Sequence, residues 1–314
     1  MTSLPEPRAS MLETIGSTPV VKLRRIVPPG SAEVLVKLEY FSPTGSYKDR
    51  MALAMIEEAE RRGDLRPGMT VVEYTGGSTG SSLAFVCAIK GYRFTVVSSD
   101  AFSQEKLMTM RAFGAELVLV PSVEGRITPD LVPRMIDKAR ELAAAGNTYW
   151  TDQLHNRDAL KGFEGIGREL LAQADGPLHA FCGGVGTAGM LMGVARALRT
   201  AGSQARIVAL EPASSAVIST GQAGSHRIEG VGIGFLPPHL DHALFDEARA
   251  IDESEAREMA RRLTREEGVF AGTSSGLNIA GALQLARELG PGHIVATVAV
   301  DTGLKYMAGD LYRD

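Results

Sequence analysis

A lysine at the head of a helical pattern and two glycine-rich turns further along could act together on one small molecule. Lys48 lies in Ser42-Pro43-Thr44-Gly45-Ser46-Tyr47-Lys48-Asp49-Arg50. Pro43 and Gly45 break a preceding strand, Ser46 offers an N-cap hydroxyl, and Met51, Met55 and Ala59 recur at helical spacing. Lys48 is therefore expected in the first helical turn. There the positive end of the helix dipole disfavours an ammonium and raises the fraction of neutral, nucleophilic amine. The alternative is an ordinary solvated lysine, which describes most of the others in this chain.

The first glycine-rich turn, Thr75-Gly76-Gly77-Ser78-Thr79-Gly80, follows Val71-Val72-Glu73 and opens a helical pattern. Glycines admit a ligand close to the backbone, and N–H groups at a helix start form an anion site suited to a carboxylate. A purely conformational turn is the alternative. The second, Gly183-Gly184-Val185-Gly186-Thr187-Ala188-Gly189, follows Ala180-Phe181-Cys182 and has donors that suit a phosphate. It carries a rival reading. Gly184, Gly186 and Gly189 satisfy G-x-G-x-x-G, and Glu211 lies 22 residues beyond Gly189 at the end of the next strand. That pattern suits an NAD-binding oxidoreductase, but it leaves Lys48 and the first turn without a role. A third element, Gly272-Thr273-Ser274-Ser275-Gly276, again begins a helical pattern. Ser274 is either an N-cap or a hydroxyl that would leave a facing pyridine nitrogen neutral. A reactive lysine with a carboxylate turn and a phosphate turn points to a Schiff base with pyridoxal 5'-phosphate.

The elements that must position these residues alternate. Strand-like runs at Val34–Leu38, Thr70–Glu73, Phe94–Val97 and Leu117–Val120 are separated by helical patterns at 47–62, 79–90, 103–113 and 129–144. A second series places strands at Leu178–Phe181, Arg206–Leu210 and His293–Ala299 among helices at 157–173, 187–200, 253–267 and 275–289. This order predicts an α/β fold of two domains, each a mainly parallel sheet flanked by helices.

The 314 residues are 44% hydrophobic and 22% charged, enough for a large core in a soluble globular protein. A net charge of −4 with 6% aromatics gives no basic footprint, so nucleic acid is not an expected partner. No apolar run approaches the length of a membrane span, and residues 1–8 show no targeting pattern, so the chain reads as cytoplasmic. Cys87 and Cys182 read as reduced, buried thiols, and the six histidines have no metal-ligand spacing.

Taken jointly, the motifs resemble the cysteine synthase and cystathionine β-synthase family. Ile15-Gly16-Ser17-Thr18-Pro19-Val20, Lys48 in its segment, the Thr75–Gly80 turn, the Gly186–Met190 turn, Gly230-Val231-Gly232-Ile233-Gly234, Ser274-Ser275-Gly276 and Asp301-Thr302-Gly303 occur in that family's order, from about residue 11 to Lys305. The resemblance implies a fold type II pyridoxal phosphate enzyme, usually a homodimer, with the cofactor in an interdomain cleft. It implies a smaller domain over 42–152 and a larger one over 1–41 and 153–314, with Lys48 at their interface. Lys48 would carry the cofactor and remove the substrate's α-proton. Ser78, Gly184, Gly186, Thr187, Ala188, Gly189, Met190 and Ser274 would hold the cofactor; Thr75, Gly76, Gly77, Ser78, Thr79, Gln153 and Gly230 would bind the amino-acid substrate.

The reaction so implied is β-replacement on an O-activated L-serine through an aminoacrylate, with sulfide as the nucleophile of a cysteine synthase. Other nucleophiles, including homocysteine or an amine, and deamination of serine or threonine are the alternatives, followed by an inactive binding scaffold. The chain departs from the family at several positions. The usual asparagine at the cofactor's phenolic oxygen is Ser78, whose shorter side chain would reach it only through water. The usual serine of the carboxylate turn is Gly76, and the phosphate turn has Ala188 for a glycine and Met190 for a threonine. Tyr47 reads as a packing residue beside the lysine.

Overall fold

The computed structural model describes residues 7–125 and 130–313. β1 (Val20–Lys22) and β2 (Glu33–Leu38) pair antiparallel before α1 (Lys48–Arg62). There follow β3 (Thr70–Tyr74), α2 (Ser78–Lys90), β4 (Arg93–Ser99), α3 (Gln104–Ala112), β5 (Glu116–Val120), α4 (Leu131–Ala143) and β6 (Thr148–Trp150). The second half runs α5 (Asp158–Gln173), β7 (Ala180–Gly184), α6 (Gly189–Thr200), β8 (Arg206–Pro212) and α7 (Val217–Thr220). It ends with β9 (Glu247–Ile251), α8 (Glu253–Glu267), α9 (Thr273–Leu289) and β10 (Ile294–Ala299).

The strands form two sheets. One has six strands in the order β1-β2-β10-β7-β8-β9, parallel except for β1; the other has four, β5-β4-β3-β6, all parallel. Every residue of β10 is buried, and α9 is buried on almost every side, as a sheet covered on both faces requires. Where α8 and α9 cross, a Cβ on Gly276 would lie 2.0 Å from the Ala256 carbonyl oxygen, so the glycine lets the two backbones touch.

Each sheet changes direction at one place. The chain steps outward through β3, β4 and β5 and returns with β6 on the other side of β3; likewise it steps through β7, β8 and β9 and returns with β10 beside β7. Open α/β sheets bind ligands outside the carboxyl ends of strands at such switch points. The turns leaving β3 and β7 are the two glycine-rich segments.

The expected alternation of strands and helices is present, with three additions. β1, β6 and β9 were not read from sequence: they are three to five residues long, and only Ile251 among the residues of β9 is buried. Strands this short at a sheet edge carry little apolar periodicity. β7 begins at Ala180 rather than Leu178, and α4 spans Leu131–Ala143, residue 129 of its expected range lying outside the described residues. Residues 1–6, read above for targeting signals, also lie outside them. Among the described residues no helix is long and apolar enough to cross a membrane.

Candidate active site

Lys48 is the first residue of α1. The expected cap geometry is shifted by one position. Tyr47, next to the helix, is already helical at φ −58° and ψ −16° and gives no side-chain cap, while the Ser46 hydroxyl accepts the Lys48 N–H at 3.3 Å. The N–H groups of Asp49 and Arg50 donate to the carbonyls of Ser46 and Tyr47, so the helix starts in a tight turn.

Asp49 and Arg50 fix this turn from two sides. The buried Asp49 carboxylate accepts the Thr44 N–H at 2.8 Å and the Thr44 hydroxyl at 2.5 Å. Arg50 donates to Glu39 at 2.7 and 2.9 Å and to Glu169 at 2.7 and 2.8 Å. Glu39 also takes the Thr18 hydroxyl, and the fully buried Lys37 pairs with Glu169 at 2.8 Å. A Cβ on Gly162 would fall 2.3 Å from the Arg50 carbonyl oxygen, which brings α5 against the start of α1.

The Lys48 amine is partly buried, 5.2 Å from the Tyr47 ring centroid and 6.0 Å from that of Phe163. Burial pushes it down to about 8, against the pull of the Glu73 carboxylate. Desolvation is therefore the main cause of a neutral amine, where the sequence had suggested the helix dipole. Glu73, fully buried in β3, accepts the Thr151 hydroxyl at 2.7 Å and the N–H groups of Tyr74 and Gln153 at 2.9 Å. Burial nonetheless pushes it up to about 7. Tyr47 is buried with its ring 5.2 Å from Phe163 and packs beside the amine.

In the turn after β3, the Thr75 hydroxyl accepts the Gly77 N–H at 3.1 Å and the Thr79 hydroxyl donates to Gln153 Oε1 at 2.8 Å. Gln153 Nε2 donates to the Tyr74 carbonyl at 3.1 Å, so Gln153 is built into the turn. A Cβ on Gly76 would lie 2.3 Å from ring carbons of Phe102: an aromatic ring takes the space that a serine side chain would enter. Ser78 opens α2, and its hydroxyl accepts a hydrogen bond from Lys305 Nζ at 3.2 Å. Lys305 was not among the residues expected at the site.

The turn after β7 meets the Gly230–Gly234 segment directly. A Cβ on Gly186 would fall 2.2 Å from the Gly230 carbonyl oxygen, and the Gly232 N–H donates to the Val185 carbonyl at 2.9 Å. Ala188 is left-handed at φ 64°, a conformation that suits the glycine usual at this position. The buried Met190 side chain turns back on β7, where a Cβ on Gly183 would meet its methyl at 2.5 Å; its backbone N–H is the part that stays at the turn. Asn278 of α9, also unforeseen, accepts the Gly184 N–H at 2.7 Å and donates to the Val298 carbonyl at 2.9 Å.

Glu211, the acid of the dinucleotide pattern, is otherwise engaged. Its buried carboxylate accepts the N–H groups of Ile218 and Ser219 at 2.8 and 2.9 Å and the Ser219 hydroxyl at 2.7 Å, which caps α7. The third element joins the lysine segment through Val300, whose N–H donates to Ser275 Oγ at 2.9 Å and whose carbonyl accepts the Tyr47 N–H at 3.0 Å. Ser274, at the start of α9, is buried, and the Thr273 hydroxyl accepts the Glu229 N–H at 3.2 Å.

Residues 11–300 match the family described as "Pyridoxal-phosphate dependent enzyme". A cysteine synthase of Staphylococcus aureus is 44% identical over 98% of each chain. Among solved structures, an O-ureido-L-serine synthase superposes with a TM-score of 0.91 at 38% identity, covering 98% of this chain and 96% of that one. An O-acetylserine-dependent cystathionine β-synthase from Helicobacter pylori superposes with a TM-score of 0.90 at 30% identity, covering 98% of this chain and 100% of that one. With a full-length match of this kind around a lysine and two glycine turns at their sheets' switch points, the chain belongs to the pyridoxal-phosphate-dependent enzymes, in the cysteine synthase and cystathionine β-synthase family.

Proposed function

We propose that the protein catalyses β-replacement on an O-activated L-serine, with O-acetyl-L-serine and sulfide as substrates and L-cysteine as product. The observation that carries this is that the Lys48 segment touches the helix behind each glycine turn: Phe163, 6.0 Å from the Lys48 amine, would lie 3.2 Å from a Cβ on Gly189, and Thr44 Oγ1 lies 3.3 Å from Ser82 Oγ on α2. The residues present fit the cofactor. The turn after β7 offers backbone N–H groups, and the Gly186 contact with Gly230 leaves no room for a side chain there.

When bound, pyridoxal phosphate supplies an electron sink for the carbanion formed as the substrate loses its α-proton. Lys48 would take that proton at Nζ, its neutral fraction being substantial near the pH to which burial lowers it. The hydroxyls of Thr75 and Ser78 and the N–H groups of Gly76, Ser78 and Thr79 would hold the substrate carboxylate, with the Gly77 N–H spent on shaping the turn and Gln153 fixing the Thr79 hydroxyl. Gly186, Thr187, Ala188, Gly189 and Met190 would surround the cofactor phosphate mainly through backbone N–H groups, Gly184, whose own N–H goes to Asn278, would border it, and Gly230 would lie beside the amino acid. Ser274 would meet the pyridine nitrogen with a neutral hydroxyl, which favours elimination over transamination.

One comparison protein is named as dependent on O-acetylserine, which supports an O-activated serine as the first substrate, while the three names differ in the product. We place the smaller unit at 42–152 because all four strands of its sheet fall between 70 and 150. A cytoplasmic homodimer acting on small amino acids completes the reading. The test is L-cysteine formation from O-acetyl-L-serine and sulfide by the native protein and by Lys48→Ala. Turnover by the native protein alone supports the assignment; equal turnover by both would remove Lys48 from the reaction.

A further inference from the structure

Ser78 is too short to replace an asparagine, yet its hydroxyl is not left to water. Lys305 Nζ donates to it at 3.2 Å. Lys305 comes from the turn Gly303–Tyr306 after β10, and its stem passes the segment leading to Lys48: a Cβ on Gly45 would lie 3.9 Å from Lys305 Cε. The amine is partly buried, and among the described residues it has no carboxylate within ion-pair distance. Burial lowers its affinity for a proton; the carboxylates of Asp301 and Asp49 act in the opposite sense, and Lys106 acts with burial. A cation so placed lacks a direct anionic partner of its own and stands at the Ser78 end of the site.

The substitution pattern of the cofactor ring says what could meet it there. The carbon that condenses with Lys48 is flanked on the ring by the phosphate-bearing arm on one side and the phenolic oxygen on the other. With the phosphate held by the turn after β7 and the pyridine nitrogen by Ser274, as proposed above, the phenolic oxygen would lie on the side away from that turn, where Ser78 opens α2. We propose that Lys305 is a cofactor-binding residue, which pairs its ammonium with the phenolic oxygen and takes over, with Ser78, the place of the family's asparagine. This rests on the cofactor and residue roles proposed above. An ammonium there favours the ionised phenolic oxygen, so the proton of the lysine-linked cofactor stays on the imine nitrogen.

The test uses holoenzyme without substrate at neutral pH, comparing native protein with Lys305→Met, Lys305→Gln, Lys305→Arg and Lys305→Met combined with Ser78→Asn. Far-ultraviolet circular dichroism checks folding, and Lys305→Gln stands in if Lys305→Met does not fold. The neutral variants are expected to transfer absorbance from the visible band to the near-ultraviolet band of the form protonated on the phenolic oxygen. They should also weaken cofactor binding about tenfold, the size of one lost charge-assisted hydrogen bond. Lys305→Arg should keep the visible band, and Ser78→Asn should restore it in the Met background. Folded neutral variants with the native spectrum and cofactor affinity would overturn the proposal. A native protein with no cofactor band at all would instead overturn the reading beneath it.

Discussion

Lys48 keeps a usable amine near neutral pH because its surroundings solvate an ammonium poorly, and Glu73 limits how far that effect goes. In cofactor-free protein, the rate of condensation of Lys48 with added pyridoxal phosphate should rise with pH to a midpoint of about 8. Below that pH the protonated amine dominates and the rate falls. Glu73→Gln removes the carboxylate that favours the ammonium, so the midpoint should move to lower pH. Stopped-flow absorbance measures both proteins, and an upward shift in the variant would contradict the electrostatic coupling. Gly186 acts through its bareness: Gly186→Ala should leave the folded signal intact but cut cofactor affinity more than about tenfold, because a Cβ forces the Gly230 carbonyl away. Equilibrium dialysis of the variant checks this, and native affinity would show that the two turns can separate harmlessly.

At the scale of elements, α1 is held by charges as much as by its apolar face. Arg50 ties it to Glu39 after β2 and to Glu169 on α5, all in a largely dry setting. Arg50→Met would strand the fully buried Glu39 carboxylate, and a loss of about 3–5 kcal/mol of stability is expected, read by urea denaturation. Arg61, which pairs with Glu58 on the solvent face of the same helix, is the control, and its removal should change stability little. Equal effects at the two positions would mean that the buried network does not anchor α1. The positions of α1, α2, α6 and α9 were legible because glycines before each start sit beside apolar residues, although none of the four has a side-chain N-cap. The network was not, because Glu39, Arg50 and Glu169 are joined only by folding and no local pattern marks an arginine for burial. Lys305 and Asn278 escaped for the same reason: Lys305 is 227 residues from Ser78, and Asn278 lies within an apolar helix.

Across the whole molecule, each sheet has one switch point, and polar links join the segments around them. Lys106 of α3 pairs with Glu229, beside the Gly230 segment, and His239 reaches the Gln153 carbonyl at 3.2 Å. The α/β class and the order of its motifs could be read from alternating patterns, whereas the short edge strands β1, β6 and β9 are defined by pairing more than by composition. The dinucleotide pattern shows how a local motif misleads: its glycines do form a turn before a helix, but Glu211 is spent on α7. A glycine turn before a helix suits more than one ligand, and the groups around it decide which.

The most direct measurement is the visible absorption spectrum of the purified protein before and after O-acetyl-L-serine is added without a nucleophile. The account predicts a protein-bound cofactor band that changes on addition and returns to its starting form when sulfide is supplied, with release of L-cysteine. A cofactor band that ignores O-acetyl-L-serine would contradict β-replacement on that substrate, and a protein with no such band after loading with pyridoxal phosphate would contradict the site itself.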